Sequence, residues 1–274
     1  MKTALITGVS KNIGRSICKE FVEKGYKVYG TYNTHLDDPT EMEKFVNEFP
    51  SVKLFKVNFC DQTGVTEFIK KMKKYKFDAL INNAGMFNLY EGSVRNEFLN
   101  FDLTAFQNVI DCNFITTARL SIELKDNMKE GGNIIIISSG ASLQGAYASI
   151  SYNASKAALI NLMESLSGNY YRYKKVRVNA VSPGWIDSEG TSMGADKTST
   201  FMGRVAAVTP MQRNGSPEEV AKMVYFLTTK EASFTTGSNI PVDGGYKNHN
   251  INYLEEAGYA NFSIELLNKG LESK

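Results

Sequence analysis

The sequence predicts an α/β protein: a single domain built on a doubly wound, seven-stranded parallel sheet with helices on both faces. Three observations carry that reading. Short apolar runs alternate with amphipathic helical patterns from the first residues to about Val242, the rhythm of a parallel sheet covered on each side. A chain of 274 residues with 42% hydrophobic content suits one large core better than two. A glycine-containing turn, residues 7–15, follows the first apolar run and leads straight into a helical pattern.

In chain order, strands are expected at residues 3–7, 27–31, 53–57, 79–82, 133–138, 177–181 and 239–242. Between them, residues such as Ile13, Ile17, Phe21 and Val22 recur at helical spacing, which lays one apolar stripe on the sheet. Segment 185–213, rich in Ser, Thr, Gly and Met, breaks the rhythm and reads as a substrate lid within a domain of residues 1–246. Residues 247–274 form a C-terminal extension after the turn Asp243-Gly244-Gly245.

Charge and composition exclude several classes. Lys+Arg 31 against Asp+Glu 29 leaves a formal charge of +2, and no basic stripe interleaves with aromatics as nucleic-acid binding would require. The densest basic run, residues 70–76, reads as a solvated helix end whose lysines complement the helix dipole. Cys18, Cys60 and Cys112 lie far apart without Cys-x-x-Cys spacing, so neither a disulfide framework nor a metal site is expected. No apolar run reaches the roughly 18 residues of a membrane span. The expectation is a soluble, cytoplasmic protein.

The chemistry concentrates on Tyr152, on Lys156 four residues later, and on Ser139 thirteen residues upstream. A phenol ordinarily loses its proton near pH 10, too high for acid/base work at neutral pH unless a cation stabilises the phenolate. Lys156 supplies that cation, because residues i and i+4 share one helix face. Tyr170 with Lys174 and Tyr171 with Lys175 match the same spacing, but the thirteenth residue before each is Ala157 or Ala158. Only Tyr152 has a serine there, at the end of an apolar strand. Hydrolase chemistry has no comparable support: the histidines are His35 and His249, both read as surface residues, and no Gly-x-Ser-x-Gly elbow occurs.

Gly8, Asn12 and Gly14 resemble the Thr-Gly-x-x-x-Gly-x-Gly loop of the short-chain dehydrogenase/reductase family, and Asn82-Asn83-Ala84-Gly85 is similar to its Asn-Asn-Ala-Gly signature. Asn113, Ser139, Tyr152, Lys156 and Pro183-Gly184 follow in the family's order, so the likeness spans about residues 2–246. It implies a Rossmann fold and a ketoreductase resembling 3-oxoacyl carrier-protein reductases. Tyr152 would exchange a proton with the substrate oxygen, Ser139 would hydrogen-bond that oxygen, and Lys156 would bind the nicotinamide ribose. Asn113 would hold a water linking the lysine to solvent. Ile186 and Ser188 would hold the carboxamide, while Ser139, Gln144, Tyr147 and Trp185 would meet the substrate. The remaining cofactor positions would be Ser10, Lys11, Ile13, Tyr32, Asn33, Asn58 and Phe59 beside the motif residues named above. Asn12 replaces the middle glycine, and Asn tolerates positive φ better than other non-glycine residues.

NADP(H) is expected over NAD(H). A carboxylate at the end of the second strand would accept from the ribose 2′-hydroxyl and repel a 2′-phosphate. Here the strand ends Gly30-Thr31-Tyr32-Asn33, with no acid before Asp37, and Lys11 offers a charge to the phosphate. The rival readings are an NAD-dependent alcohol dehydrogenase and a regulatory dinucleotide-binding protein of the same fold without turnover. The pocket should draw on segments 86–90, 141–147 and 185–211, with Met193, Phe201, Met202 and Met211 among its walls. The resemblance also implies a homotetramer or homodimer through helices near 102–128 and 151–173. Leu159, Met163 and Leu166 form an apolar stripe on the second of these that fits either a subunit contact or core packing, and Phe262, Leu266 and Leu267 are expected to pack the tail on the body or a neighbour.

Overall fold

The structure is a computed structural model that describes residues 1–87, 101–143, 149–187 and 201–248. The expected site residues Gln144, Tyr147, Ser188 and Met193, with Tyr90, His249 and the tail residues Phe262, Leu266 and Leu267, lie outside the described residues, as do the side chains of Phe201 and Met202.

Seven strands, β1 (Thr3–Ile6), β2 (Lys27–Tyr32), β3 (Lys53–Lys56), β4 (Phe77–Asn82), β5 (Met128–Ile137), β6 (Arg177–Pro183) and β7 (Asn239–Val242), form one sheet in the order β3-β2-β1-β4-β5-β6-β7. From β1 to β6 the neighbours pair in parallel. The chain runs outward from β1 to β3 and then returns to place β4 on the other side of β1. That reversal creates the crevice at the carboxyl ends of β1 and β4 where doubly wound sheets bind ligands. Strand β5 begins five residues before the expected 133. Met128 pairs with Phe77 and the register shifts before Asn133 meets Ala79, so a polar Lys129-Glu130-Gly131-Gly132 stretch hides the start of the strand from an apolar-run reading.

The chain divides into two compact units, Met1–Pro183 with Pro217–Pro241 and Gly184–Ser216 with Val242–Lys274. In the first, helices α1 (Asn12–Glu23), α2 (Pro39–Glu48), α3 (Gln62–Met72), α4 (Leu103–Ile110), α5 (Thr116–Glu123), α6 (Ile150–Lys174) and α8 (Pro217–Leu227) accompany the sheet. Asp38, Asp61 and Asp102 cap α2, α3 and α4 by accepting from backbone N–H groups two or three residues on, which fixes where each helix begins. Helix α1 is different: Lys11 at its N-cap makes no side-chain cap and its first turn holds no acid. Its first N–H groups therefore stay available to an anion.

The core is built where the strand centres are buried on both faces, with Leu5, Leu80, Ile134 and Val178 all in one cluster with Phe68 and Met72. Leu159 and Met163 belong to that same cluster and are 1% and 0% exposed. Of the two readings of that stripe, core packing holds for these two residues: the core of their own chain uses them.

The second unit contains α7 (Phe201–Val208). There Asp187 N–H donates to the Gly215 carbonyl and Gly215 N–H to the Trp185 carbonyl, both at 2.9 Å, so the Trp185 to Asp187 segment is tied to the chain that follows α7. Asn214 Nδ2 also donates to Asp187 Oδ1 at 2.9 Å. Gly184 N–H donates to the Val242 carbonyl at 2.9 Å. Trp185 and Met211 are exposed within this unit.

Candidate active site

At the carboxyl end of β1 the chain turns through Gly8, with φ of 72°, and Asn12, with φ of 49°. Asn12 thus adopts the left-handed conformation expected of the residue standing in for glycine. Thr7 organises the turn from below. Its Oγ1 accepts from the N–H groups of Asn83 and Ala84, each at 2.9 Å, and Asn83 Nδ2 donates to the carbonyls of Thr7 and Gly8 at 2.9 and 3.1 Å. The Asn83 side chain is therefore spent on holding the glycine turn against the end of β4. Gly14 lies directly over this turn, where a Cβ would overlap the Gly8 carbonyl oxygen and come within 2.6 Å of Asn83 Nδ2.

Every cofactor position expected between residues 8 and 85 lines one cleft of about 380 Å³. Asn58 is among them, with its Oδ1 already accepting from the Cys60 N–H at 3.0 Å, so it has one lone pair left for a ligand amine. The cleft also takes in Met86, expected in the substrate wall, and residues that the sequence reading had not assigned to it: Thr31, Val57, Cys60, Cys112 and His35. His35 had been read as a plain surface residue. It is half-buried at the cleft rim, with Nε2 3.6 Å from Glu41 Oε2. Its position three residues past the end of β2 was the available signal, since the turn after that strand must border the crevice. Pro183 ends β6 in the first unit, while Gly184, Ile186 and Trp185 belong to the second.

Gly85 and Met86 of the cleft wall adjoin the proposed acid/base group. Asn113 sits in a π-helical turn, Asp111–Ile115, between α4 and α5, an insertion that often marks functional positions. Its Oδ1 accepts from Met86 N–H at 2.7 Å, and its Nδ2 donates to the Met86 carbonyl and to Ser155 Oγ, both at 3.0 Å. Ser155 Oγ in turn donates to the Tyr152 carbonyl at 2.7 Å. The Asn113 side chain thereby pins the loop after β4 to α6.

Lys156 is 4% exposed. Its Nζ donates to the Ile137 carbonyl at 2.9 Å, and Ser138 Oγ donates back to the Lys156 carbonyl at 2.9 Å. Strand β5 thereby fixes α6 in register, next to Ser139. The ammonium lies 5.6 Å from the centroid of the Tyr152 ring. A Cβ on Gly85 would stand 3.3 Å from both Lys156 Nζ and Asn113 Oδ1, so this cleft-lining glycine lets the backbone close on the two side chains. Ser139 Oγ accepts from Ala141 N–H at 3.1 Å, an arrangement that leaves its own proton free to donate. Tyr152 is half-buried, and Phe87 meets its ring edge-on at 4.7 Å.

The competing tyrosine pairs are placed elsewhere. Tyr170 is 5% exposed and its hydroxyl donates to the Ser121 carbonyl; burial, with the Asp126 charge adding to it, pushes its phenol well above the ordinary range. Tyr170→Phe should cost about 1–3 kcal/mol, because it orphans a buried carbonyl, and should leave turnover alone. A thermal melt checks the first part, and a variant with unchanged stability would show that the hydroxyl bond contributes nothing. Tyr171 is exposed at the far end of α6.

Among the described residues no helix is long and apolar enough to cross a membrane, and no group of three or more His, Cys, Asp or Glu could hold a metal ion.

The fold and this cluster together define a dinucleotide-type α/β sheet with a tyrosine–lysine pair at its switch point. Comparison with known proteins is consistent with that class. Residues 8–247 match the family model described as enoyl-(acyl carrier protein) reductase. The chain is 33% identical over 251 residues to the 3-oxoacyl-[acyl-carrier-protein] reductase FabG of Buchnera aphidicola subsp. Acyrthosiphon pisum, covering 89% of this chain and 96% of that protein. It is 32% identical over 256 residues to the 3alpha-hydroxysteroid dehydrogenase of Mediterraneibacter gnavus, with 89% and 96% covered. The solved structure of BdcA in complex with NADPH matches with a TM-score of 0.76 at 29% identity, covering 89% of this chain and 93% of its own. The chain belongs to the short-chain dehydrogenase/reductase family of oxidoreductases.

Proposed function

We propose that this chain is an NADP(H)-dependent ketoreductase or the matching alcohol dehydrogenase, with Tyr152 as the group that exchanges a proton with the substrate oxygen. The observation that carries the reading is the Lys156 ammonium, 5.6 Å from the Tyr152 ring centroid and against Gly85 of the cleft. The cleft fits a dinucleotide: Gly8 and Gly14 leave the space that side chains would fill, and the uncapped start of α1 offers N–H groups to a pyrophosphate. When bound, the nicotinamide supplies or accepts the hydride. Ser139 orients the substrate oxygen through the proton its Oγ retains. Tyr152 donates to that oxygen as negative charge develops there, and the buried Lys156 stabilises the charge left on the ring. The reaction should appear as NADPH consumption with a panel of ketones; no consumption with any carbonyl, in protein that binds NADPH, would favour a regulatory role instead.

The four-residue spacing of Tyr152 and Lys156 supports carbonyl over enoyl reduction. The apolar edge of Phe87 at the Tyr152 ring suits a substrate with an apolar portion beside the carbonyl. Assembly as a homotetramer or homodimer belongs to the same reading, supported by Phe101 and Leu103 standing exposed at the start of α4. Three free cysteines suit the cytoplasm.

Preference for NADP(H) rests on the rim of the cleft. Lys11, Asn33, Thr34 and His35 line it, and Asp37, the first acid after β2, is held by Lys56 at 2.6 Å. Lys11→Ala should weaken NADPH binding by about 1–3 kcal/mol, the range for a lost charged hydrogen bond, and barely change NADH. Equal loss for both nucleotides in a fluorescence titration would remove Lys11 from the 2′-phosphate.

A further inference from the structure

Two of the three cysteines stand in the wall of the cleft and have no part in the chemistry above. Cys60 follows Asn58 and Phe59 at the end of β3 and is half-buried, and Cys112 is in the π-helical turn with 8% exposure. Both line the cleft, with Met86 beside them. Cys60 Sγ lies 3.8 Å from Met86 Sδ and 3.6 Å from the Asn108 carbonyl. Asn108 precedes Cys112 by one helical turn, so the Cys60 thiol rests on the helix face that Cys112 shares.

The backbones around the two thiols are fixed to each other. Thr116 Oγ1 donates to the Phe59 carbonyl at 3.0 Å, Gln62 Nε2 donates to Thr116 Oγ1 at 3.2 Å and to the Asp111 carbonyl at 3.5 Å, and Arg119 Nη1 donates to the Gln62 carbonyl at 3.0 Å. These bonds flank both thiols, so the segment after β3 and the helical stretch that carries Cys112 are held side by side.

We propose that Cys60 and Cys112 are a hydroperoxide-reactive thiol pair whose oxidation to a disulfide closes off the nucleotide cleft; the consequence for binding rests on the dinucleotide reading, the disulfide itself does not. Cys112 beside it lowers the Cys60 thiol below its ordinary range, against opposing effects of burial and of Asp111, which favours the thiolate. Cys112 is raised, first by that same bond to Cys60 and then by burial, with Lys156 acting the other way. Cys18 offers no comparable site: it is 0% exposed and burial raises it to about 12.

The chemistry balances with a hydroperoxide as oxidant. The Cys60 thiolate attacks one peroxide oxygen, the O–O bond breaks, and a sulfenic acid and hydroxide result. With the thiolate gone, the main cause of the raised Cys112 pKa is gone too. Cys112 gives its proton to hydroxide and attacks the sulfenyl sulfur, the S–S bond forms, and the sulfenyl oxygen leaves as hydroxide, which takes up the proton that Cys60 released on ionising. Two thiols lose two electrons, and hydrogen peroxide becomes two waters, or an organic hydroperoxide one alcohol and one water.

The test treats reduced full-length protein with hydrogen peroxide, blocks residual thiols and maps peptides by mass spectrometry. A Cys60–Cys112 crosslink reversed by dithiothreitol, with Cys18 still a thiol, is expected; no reaction, or sulfinic acid at Cys60 without a crosslink, overturns the pair. Two variants separate the hydrogen bond from the crosslink. Cys112→Ser keeps a donor, so Cys60 should be alkylated by iodoacetamide near the wild-type rate without ever crosslinking. In Cys112→Ala alkylation at pH 7 should slow severalfold, because the neighbour that favours the Cys60 thiolate is gone. An Ala variant alkylated at the wild-type rate would overturn the hydrogen-bonded pair.

NADPH binding, followed by fluorescence, should be present in the reduced protein, weaken on crosslinking and return with dithiothreitol, and NADPH should slow both modifications. Reduced protein that binds NADPH while crosslinking leaves that binding unchanged overturns the proposed consequence. Reduced protein that binds no dinucleotide overturns the functional reading above, and leaves the crosslink to be judged by the peptide map alone.

Discussion

Replacing Tyr152 by phenylalanine is expected to lower turnover by at least about two orders of magnitude, the scale of a lost general acid/base, while NADPH still binds. The substitution keeps the ring and with it the edge contact to Phe87 and the ammonium of Lys156 near the ring face. What it removes is the transferable proton, and among the described residues the neighbouring serines do not replace it: the Ser155 hydroxyl is committed to the Tyr152 carbonyl and the Ser138 hydroxyl to the Lys156 carbonyl. Ser139 remains as a neutral donor to the substrate oxygen, but it has no cation beneath it to hold the charge that giving up a proton creates. The loss should therefore fall on kcat more than on KM, since the missing step is made only in the transition state. Steady-state kinetics with the best ketone of the panel, alongside a Tyr171→Phe control, decides it. Near-normal kcat in the Tyr152 variant would mean that another group moves the proton.

Much of this site was legible in the sequence because its parts are local. A glycine turn between a strand and a helix must border the crevice of a parallel sheet, and a tyrosine with a lysine four residues on must share a helix face. Asn12 could be assigned its left-handed turn from residue type alone, and its φ of 49° bears that out. The features that were missed depend on chain segments far apart in sequence. Leu159 and Met163 form an apolar stripe that fits a core or a subunit contact equally well by spacing, and only their packing in the cluster with Leu80 and Ile134 assigns them to the core. The early start of β5 is polar in sequence and is set by the pairing of Met128 with Phe77. Asn113 sits one residue out of helical phase because of the π turn, which no periodicity announces. Cys60 and Cys112, fifty-two positions apart with no spacing motif, meet only because the loop after β3 is bonded to the helix at Thr116 and Asp111.

Gly14→Ala should be the most damaging small substitution in the nucleotide half. A methyl group there would overlap the Gly8 carbonyl oxygen, and 2.6 Å away it would meet Asn83 Nδ2, the very group that donates to the Thr7 and Gly8 carbonyls. Neither neighbour is the free end of a flexible chain. The first is backbone in a turn held by Thr7 and by the bond from Gly8 N–H to Thr31 Oγ1, and the second is anchored twice. Relief requires α1 to lift from the turn or the turn to give up its bonds to β4. The cost should reach at least about 3 kcal/mol, the upper end of the range for overpacking, and lower the melting midpoint by about 6–12 °C in a chain of this size. The same displacement moves the free N–H groups at the start of α1 away from the pyrophosphate position. The stabilisation of about 2.7 kcal/mol that NADPH gives at a hundred times its Kd should therefore vanish in the variant. A melting experiment with and without NADPH reads both effects. If Gly14→Ala melts like the wild type and keeps the full NADPH shift, then the tight approach of α1 to the Gly8 turn is not what builds the dinucleotide site.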